Sequence, residues 1–364
     1  MCDVYWAIDC LKQIAIMNYG ISVLFRAIPV FMALFCFSYG AFVYDESLFP
    51  GRLVAGPVLM ALGMICVALF ATAATIIRQI INTYNTVAKY ALPLLGYTAA
   101  VVTFVCGWHY MHAGDTLAHF VAGHVICGIS FIVACVSTTA AVSTRFMLIP
   151  ENASSDDDIF PATAFTAPQM RFFIAIVVTV AAAAWLWTGY LLMHASDSDA
   201  FYVAGHVMAG LACICTSLVA LVVVILRQIC NRFNESDGRR YPFLVIAMGT
   251  LAILWGIVVL SGRVTSLSVT GYIMIGLGLV CYSISSKVIL LSAVWRRTFK
   301  LANRIPLIPI FTAFICLFLS AFLFEMASTH TAYFIPARVL AGLGAICFTL
   351  FSIVSILESG TSGK

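Results

Sequence analysis

The sequence predicts an all-α membrane protein of about ten transmembrane helices, built as five two-helix hairpin repeats with pseudo-fivefold symmetry about the membrane normal. The first observation behind this prediction is composition. Of 364 residues, 63% are hydrophobic and 9% are charged, and the mean hydropathy is +1.05, whereas soluble domains carry roughly 25% charged residues. The second observation is a series of long apolar segments. The third is an internal repeat.

Ten apolar segments are long enough to cross a bilayer, which takes about 20 residues of helix. They lie at about 24–44, 53–76, 92–112, 120–143, 171–193, 203–226, 243–261, 268–291, 307–326 and 335–356. Residues 1–22 carry acidic residues where a signal peptide is basic, and no small-residue cleavage site follows them. We therefore predict a cytoplasmic or interfacial segment at 1–22 and a single transmembrane domain over 23–364.

The orientation follows from the positive charges, which favour the cytoplasmic side of a membrane. We assign 15 of the 19 Lys and Arg to one side of the predicted spans, in the loops that follow every second span and near the two termini. Both termini are therefore predicted to be cytoplasmic. The net charge of +4 reflects this topology, and no patch for nucleic acid is expected.

An internal repeat is visible because FVAGHVICG (120–128) returns as FYVAGHVMAG (201–210). Three weaker copies extend the alignment to Pro57, His124, His206, Tyr272 and Arg338, which we call the histidine column and which are 67, 82, 66 and 66 residues apart. The longer step contains a polar cytoplasmic linker, predicted at 149–168. The five repeats are then placed at about 23–80, 88–148, 169–230, 241–297 and 303–360.

Small residues recur along the even-numbered spans at offsets 0, 4, 11 and 15 from the histidine column, which is the spacing of one helix face. Gly128, Gly210, Gly276 and Gly342 occupy the second of these positions. Small residues allow close helix approach in a bilayer, so the stripe is interpreted as a packing seam. The alternative is that it lines a central pathway. Even-numbered helices are expected on the inside and odd-numbered ones on the outside.

The histidine column is predicted to lie near the outer, periplasmic end of the membrane. If its members face a common axis, they form a ring that is positive at acid pH and favours anions. Three interpretations stay open for His124 and His206. They cap or cross-link helices by hydrogen bonds, they form a titratable mouth because histidine changes charge near pH 6.5, or they ligate haem or a metal.

Other ionisable residues add to this outer end. Asp45, His109, His112, His194 and Glu325 are predicted to form an outer pH-sensing cluster. Lys287 lies fifteen residues beyond Tyr272, deeper in the membrane. It either extends to the cytoplasmic headgroups or provides a second positive position on a pathway.

Several kinds of site are missing from the sequence. There is no GxxxxGK[ST] loop, no HExxH and no carboxylate pair within a span, so no enzyme is expected. The thirteen cysteines lie mostly in apolar spans without CxxC spacing. They are interpreted as small apolar residues of the core, and neither a metal nor a cofactor is predicted.

Two long segments make the chain resemble a known family. LANRIPLIPIFTAFICLFLSAFLFEMA (301–327) and YFIPARVLAGLGAICFTLFSIVSILESG (333–360), with the two VAGHV motifs, are similar to the YhiM-like bacterial inner-membrane proteins. The resemblance extends over essentially the whole chain. It implies a multi-pass protein of the bacterial inner membrane, and it brings no catalytic residues with it.

Two functions are predicted from these observations. The first is a pH-sensitive channel or transporter for a small ion or solute, with a periplasmic mouth lined by His and Arg. The second is a non-conducting membrane scaffold or stress sensor that binds lipid or a partner protein. Membrane lipids, a small ion or solute and further copies of the chain are the expected partners.

Overall fold

A computed structural model describes residues 25, 27–45, 51–80, 85–114, 116–144, 165–230, 232–262, 265–295 and 305–362. The predicted segment at 1–22 and most of the predicted linker at 149–168 lie outside these residues. Within the described part, every regular element is helical, and ten helices are long and apolar enough to cross a membrane. The prediction of an all-α chain with ten such helices is confirmed.

The ten helices are numbered in chain order. They are α1 (Ala27–Asp45), α2 (Arg52–Ile80), α3 (Thr86–His112), α4 (Leu117–Ser143), α5 (Ala167–Met193), α6 (Asp199–Ile229), α7 (Asp237–Leu260), α8 (Thr270–Trp295), α9 (Leu307–Ala327) and α10 (Phe334–Ser362). Two short elements, a helical turn at Thr265–Ser268 and a 3₁₀ turn at Thr331–Tyr333, precede α8 and α10.

Several helices extend beyond the apolar segments from which they were predicted. Helix α3 begins at Thr86 instead of residue 92, because Asn85 caps its first turn by accepting a hydrogen bond from the Ala88 backbone N–H at 2.8 Å. Lys89 and Tyr90 then continue the helix. Hydropathy locates the membrane-crossing part of a helix, whereas the cap sets its end.

Burial separates the helices into two sets. In the most apolar stretch of each helix, between 72% and 89% of residues are buried for α2, α4, α6, α8 and α10. For the odd-numbered helices the range is 22% to 33%. The expectation that even-numbered helices lie inside and odd-numbered helices outside is therefore met.

The even-numbered helices form a closed series of contacts. Helix α2 packs on α4, α4 on α6, α6 on α8, α8 on α10, and α10 packs back on α2. Each odd-numbered helix from α3 to α9 contacts its own even-numbered partner and the even-numbered helix before it. The loops that join the two helices of each hairpin lie together at what we call the hairpin end, and the opposite end is the linker end.

Candidate functional site: the axis enclosed by the even-numbered helices

The five even-numbered helices enclose a cavity of about 30 Å³ on their common axis. All five contribute to its wall, which is aliphatic except for Thr72, Thr139 and Lys287. The lining residues are Leu62, Ile65, Leu69, Thr72, Ile132, Val136, Thr139, Leu211, Ile214, Leu218, Leu221, Leu277, Val280, Ile284, Lys287, Leu343, Ile346 and Leu350.

The lining residues fall at equivalent positions in the aligned copies. Eight residues beyond the histidine column every copy contributes one aliphatic side chain to the wall, and the same is true twelve residues beyond it. These two sets are Ile65, Ile132, Ile214, Val280 and Ile346, and Leu69, Val136, Leu218, Ile284 and Leu350. We call them the upper and lower aliphatic rings. They are four residues apart, or about 6 Å along the helices.

The small-residue stripe packs between neighbouring even-numbered helices. A Cβ atom added at Gly342 of α10 would lie 2.7 Å from Cδ1 of Leu62 in α2, and one added at Gly276 of α8 would lie 2.7 Å from Cδ1 of Leu343 in α10. Gly210 faces Leu277 and Gly128 faces Leu211 in the same way. Each glycine therefore receives a leucine of the next helix, which supports the seam interpretation.

Two glutamines that the sequence analysis did not single out link neighbouring helices at the linker end. The side-chain amide of Gln79 in α2 donates to the carbonyl oxygen of Ser143 in α4 at 2.9 Å. Gln228 in α6 donates to the carbonyl oxygen of Leu291 in α8 at 2.8 Å. Both glutamines follow an arginine, Arg78 or Arg227, that the repeat alignment had already paired.

His124 and His206 occupy matching niches on α4 and α6. Nδ1 of each imidazole donates to the carbonyl oxygen four residues earlier, that of Phe120 at 2.8 Å and that of Tyr202 at 2.7 Å. Each imidazole also lies 4.1 Å from the ring of that same residue. A tryptophan from an outer helix completes each niche, at 5.8 Å for Trp187 and 6.1 Å for Trp255.

Arg338 occupies the same kind of niche on α10. Its Nη1 donates to the carbonyl oxygen of Phe334 at 3.3 Å, and its guanidinium lies 3.4 Å from the centre of that ring. Phe324 of α9 lies 4.9 Å from the guanidinium and takes the place of the tryptophan. A carbonyl oxygen and two aromatic rings thus accommodate a permanent cation at the position where two other copies carry histidine.

The remaining members of the histidine column differ. Pro57 is buried within α2, and Tyr272 is half-buried, with its ring 6.4 Å from that of Tyr333. None of the five column residues is among those that line the axial cavity. His124, His206 and Arg338 lie beside the axis, between inner and outer helices, and a role for them in a mouth stays a prediction.

The outer residues do not converge on one point. His194 pairs with Asp197 at 2.8 Å, and Nδ1 of His112 donates to the Trp108 carbonyl oxygen at 2.8 Å. Asp45, His109 and Glu325 are exposed. All lie at the hairpin end, and their role as a pH-sensing cluster stays a prediction.

A second cavity of about 300 Å³ lies at the hairpin end. Its wall includes Val203, Val269 and Ile335, which lie three residues before His206, Tyr272 and Arg338 and therefore share a position in three copies. Ile273 and Phe334 add to this wall. The cavity is a largely apolar vestibule over one side of the axis.

The axial wall was missed because the sequence search followed conspicuous residues. Valine, leucine and isoleucine recur in the rings, but they are so frequent in membrane helices that their recurrence draws no attention. The signal that would have found them is the alignment itself, read at offsets 8 and 12. At those offsets all five copies are aliphatic, whereas the histidine column varies from proline to arginine.

Comparison with known proteins agrees with this architecture over its full length. Residues 17–362 match the model of a family described as "Protein of unknown function (DUF2776)". The chain is also similar to the inner membrane protein YhiM of Escherichia coli (strain K12), at 46% identity over 351 residues. That alignment covers 96% of this chain and 100% of the relative.

Proposed function

The chain belongs to the DUF2776 family, and from this premise we propose that it is a bacterial inner-membrane protein that conducts a small ion along the axis of its even-numbered helices. Both termini then face the cytoplasm and the hairpin end faces the periplasm, because the positively charged loops are at the opposite end. The outer helices present large apolar side chains such as Phe31, Leu186 and Phe318, which suit contact with lipid chains.

The proposal includes pseudo-fivefold symmetry about the membrane normal. Three kinds of contact support it. The even-numbered helices contact one another in a closed series, the glycine-to-leucine contacts repeat in four of the five steps, and two steps share the glutamine bond. Parallel repeats of this kind are related by an axis along the membrane normal.

The observation that carries the proposed function is the wall of the axial cavity. Five helices that merely packed together would not need a buried lysine on their axis, since a charge inside a membrane is costly and usually functional. The two aliphatic rings above Lys287 form a narrow apolar constriction. Such constrictions close pathways by excluding water, so the structure corresponds to a closed state of the proposed pathway.

Positive charge near the axis favours anions over cations. Lys287 lines the cavity, and Arg338 lies beside the hairpin-end vestibule on the helix whose Phe334 and Ile335 form part of its wall. No acidic side chain is among the residues that line either cavity. We therefore propose a small anion as the conducted species.

The proposed function is tested by flux into liposomes that contain the purified protein. Iodide entry, followed by quenching of an enclosed halide-sensitive dye, is expected to exceed that into protein-free liposomes, and to be greater at pH 5 than at pH 7. Iodide entry equal to that of protein-free liposomes at both pH values would contradict the pathway.

Replacement of both His124 and His206 by Gln is expected to remove most of the pH dependence of this flux. With Nδ1 bound to a carbonyl oxygen, Nε2 is the atom that takes up a proton below about pH 6.5. Arg338 demonstrates that the same kind of niche holds a cation. Besides the aromatic and carbonyl groups of the niche, His112 acts electrostatically on His124.

The matched control for this pair is His109→Gln, since His109 is an exposed histidine at the same end. It is expected to leave the ratio of flux at pH 5 to flux at pH 7 unchanged. If the double variant keeps the wild-type ratio, the titratable-mouth hypothesis is wrong.

A second function, a non-conducting scaffold or sensor, is favoured by one observation. The axial cavity of about 30 Å³ has room for little more than a water-sized guest, which is also what a packed core would leave. The two functions differ in how the protein responds to polar residues in the aliphatic rings, a test that opens the Discussion.

A further inference from the structure

We infer that Lys287, Thr72 and Thr139 form a binding site for a single halide-sized monovalent anion in the axial cavity. The inference rests on the proposed function and deepens it, because it names the species bound on the pathway. It can nevertheless be tested by binding alone, without flux.

Lys287 is a buried cation without a protein counter-charge in the described part of the chain. Its exposed fraction is 3% and its side chain lines the cavity. The ion pairs among the described residues involve His194, Arg227 and Arg239. A buried charge without a partner is strongly disfavoured, so an anion from solution would stabilise the ammonium.

Lys287 does not reach the headgroups at the linker end. It lies eight residues before Trp295, where α8 ends, which is about 12 Å along the helix. A lysine whose head reached that surface would be exposed at its tip, whereas this side chain is enclosed by the wall of the cavity. The ammonium is therefore available to a guest on the axis.

Two hydroxyl groups share the level of Lys287. Thr72 and Thr139 occupy the position fifteen residues beyond the histidine column in the first two copies, as Lys287 does in the fourth. Both are buried and both line the cavity. Their hydroxyls donate to carbonyl oxygens of their own helices, at 3.2 Å for Thr72 and 3.1 Å for Thr139. These bonds are long for O–H donors, so rotation of either hydroxyl towards an anion gives up little.

The size and chemistry of the cavity select the guest. A volume of about 30 Å³ admits a water-sized species and is too small for a phosphate, a carboxylate with its chain or a lipid headgroup. A single ammonium with two hydroxyls also lacks the planar fork by which arginine holds oxyanions. A halide requires only a positive charge and a few donors around a sphere.

The site is tested by titrating the purified full-length protein with bromide in detergent, with gluconate replacing it at constant ionic strength. Bromide is expected to raise the apparent melting temperature of the wild type in a saturable manner. Lys287→Met is expected to abolish this rise, and Lys287→Arg to retain part of it. Lys89→Met, which removes an exposed lysine, serves as the matched control and is expected to respond as the wild type does.

Thr139→Val keeps the inference testable if Lys287→Met fails to fold. Loss of one hydroxyl donor is expected to weaken bromide binding by about fivefold, the effect of one hydrogen bond of about 1 kcal/mol. An unchanged bromide midpoint in Thr139→Val, or an unchanged response in a folded Lys287→Met, would overturn the inference. A Lys287-dependent bromide response in a protein that gives no iodide flux would confirm the site while rejecting the pathway.

Discussion

Asparagine at both Ile214 and Ile346 is expected to raise iodide flux at pH 7 by roughly tenfold, the change produced by lowering a barrier by about 1.4 kcal/mol. The two residues belong to the upper aliphatic ring, on α6 and α10. An apolar constriction excludes water, and polar side chains there would hold water and open the path. The measurement is dye quenching in liposomes, with the same reconstituted amount of each variant.

Leu186→Asn is the matched control for that experiment. Leu186 is 76% exposed on outer helix α5, so it places the same polar group on the lipid-facing side and should leave flux at the wild-type level. If the double variant is folded and its flux also stays at that level, the aliphatic rings are a packed core and the scaffold is the better account of the protein.

Alanine at Gly107 is expected to destabilise the protein by about 1–3 kcal/mol, the usual effect of overpacking. Its buried position lies where α3 crosses α4, and an added Cβ would be 2.8 Å from the backbone nitrogen of Cys127. A rotamer change cannot relieve contact with a backbone atom, so the two helices of the hairpin must separate. Thermal unfolding in detergent measures the effect.

Gly189 provides the matched control, because the repeat alignment places it at the same position of the third copy. No atom lies within 4 Å of a Cβ added there. Gly189→Ala is therefore expected to stabilise α5 slightly, by up to about 1 kcal/mol, since alanine favours helix over glycine. Equal melting temperatures for the two alanine variants would show that close approach at Gly107 is not what holds α3 against α4.

The helical architecture could be predicted because the membrane imposes it. Every backbone polar group must be bonded within the hydrocarbon core, so ten apolar segments in the sequence imply ten helices, and the charge pattern favours one orientation. The repeat then pointed to which helices lie inside. Helix ends were less predictable, since side chains such as Asn85 extend α3 beyond its apolar segment.

The site was predictable only in part. Lys287 was identified from its charge alone, and its place on the axial wall agrees with the pathway interpretation of that residue. The direction taken by His124 and His206 could not be predicted, because the same helix position allows a side chain to face the axis or an outer helix. Trp187 and Trp255 decide between these, and they lie on other helices, far away in sequence.

The central claim is that the even-numbered helices form a closed ring, and the contact between α2 and α10 tests it most directly. Thr349 Oγ1 of α10 lies 3.7 Å from Cys66 Sγ of α2. The variant to use has Thr349→Cys, retains Cys66, replaces the other cysteines by alanine and carries a protease site within 151–158. Cleavage there separates α1–α4 from α5–α10.

After oxidation and cleavage, the two fragments of this variant are predicted to migrate as one band on a non-reducing denaturing gel, and as two bands after reduction. The same protein with Leu254→Cys in place of Thr349→Cys should give two bands throughout, because Leu254 is exposed on outer helix α7. Two separate fragments from the oxidised Thr349→Cys protein would contradict the closed ring and, with it, the axis on which the proposed pathway depends.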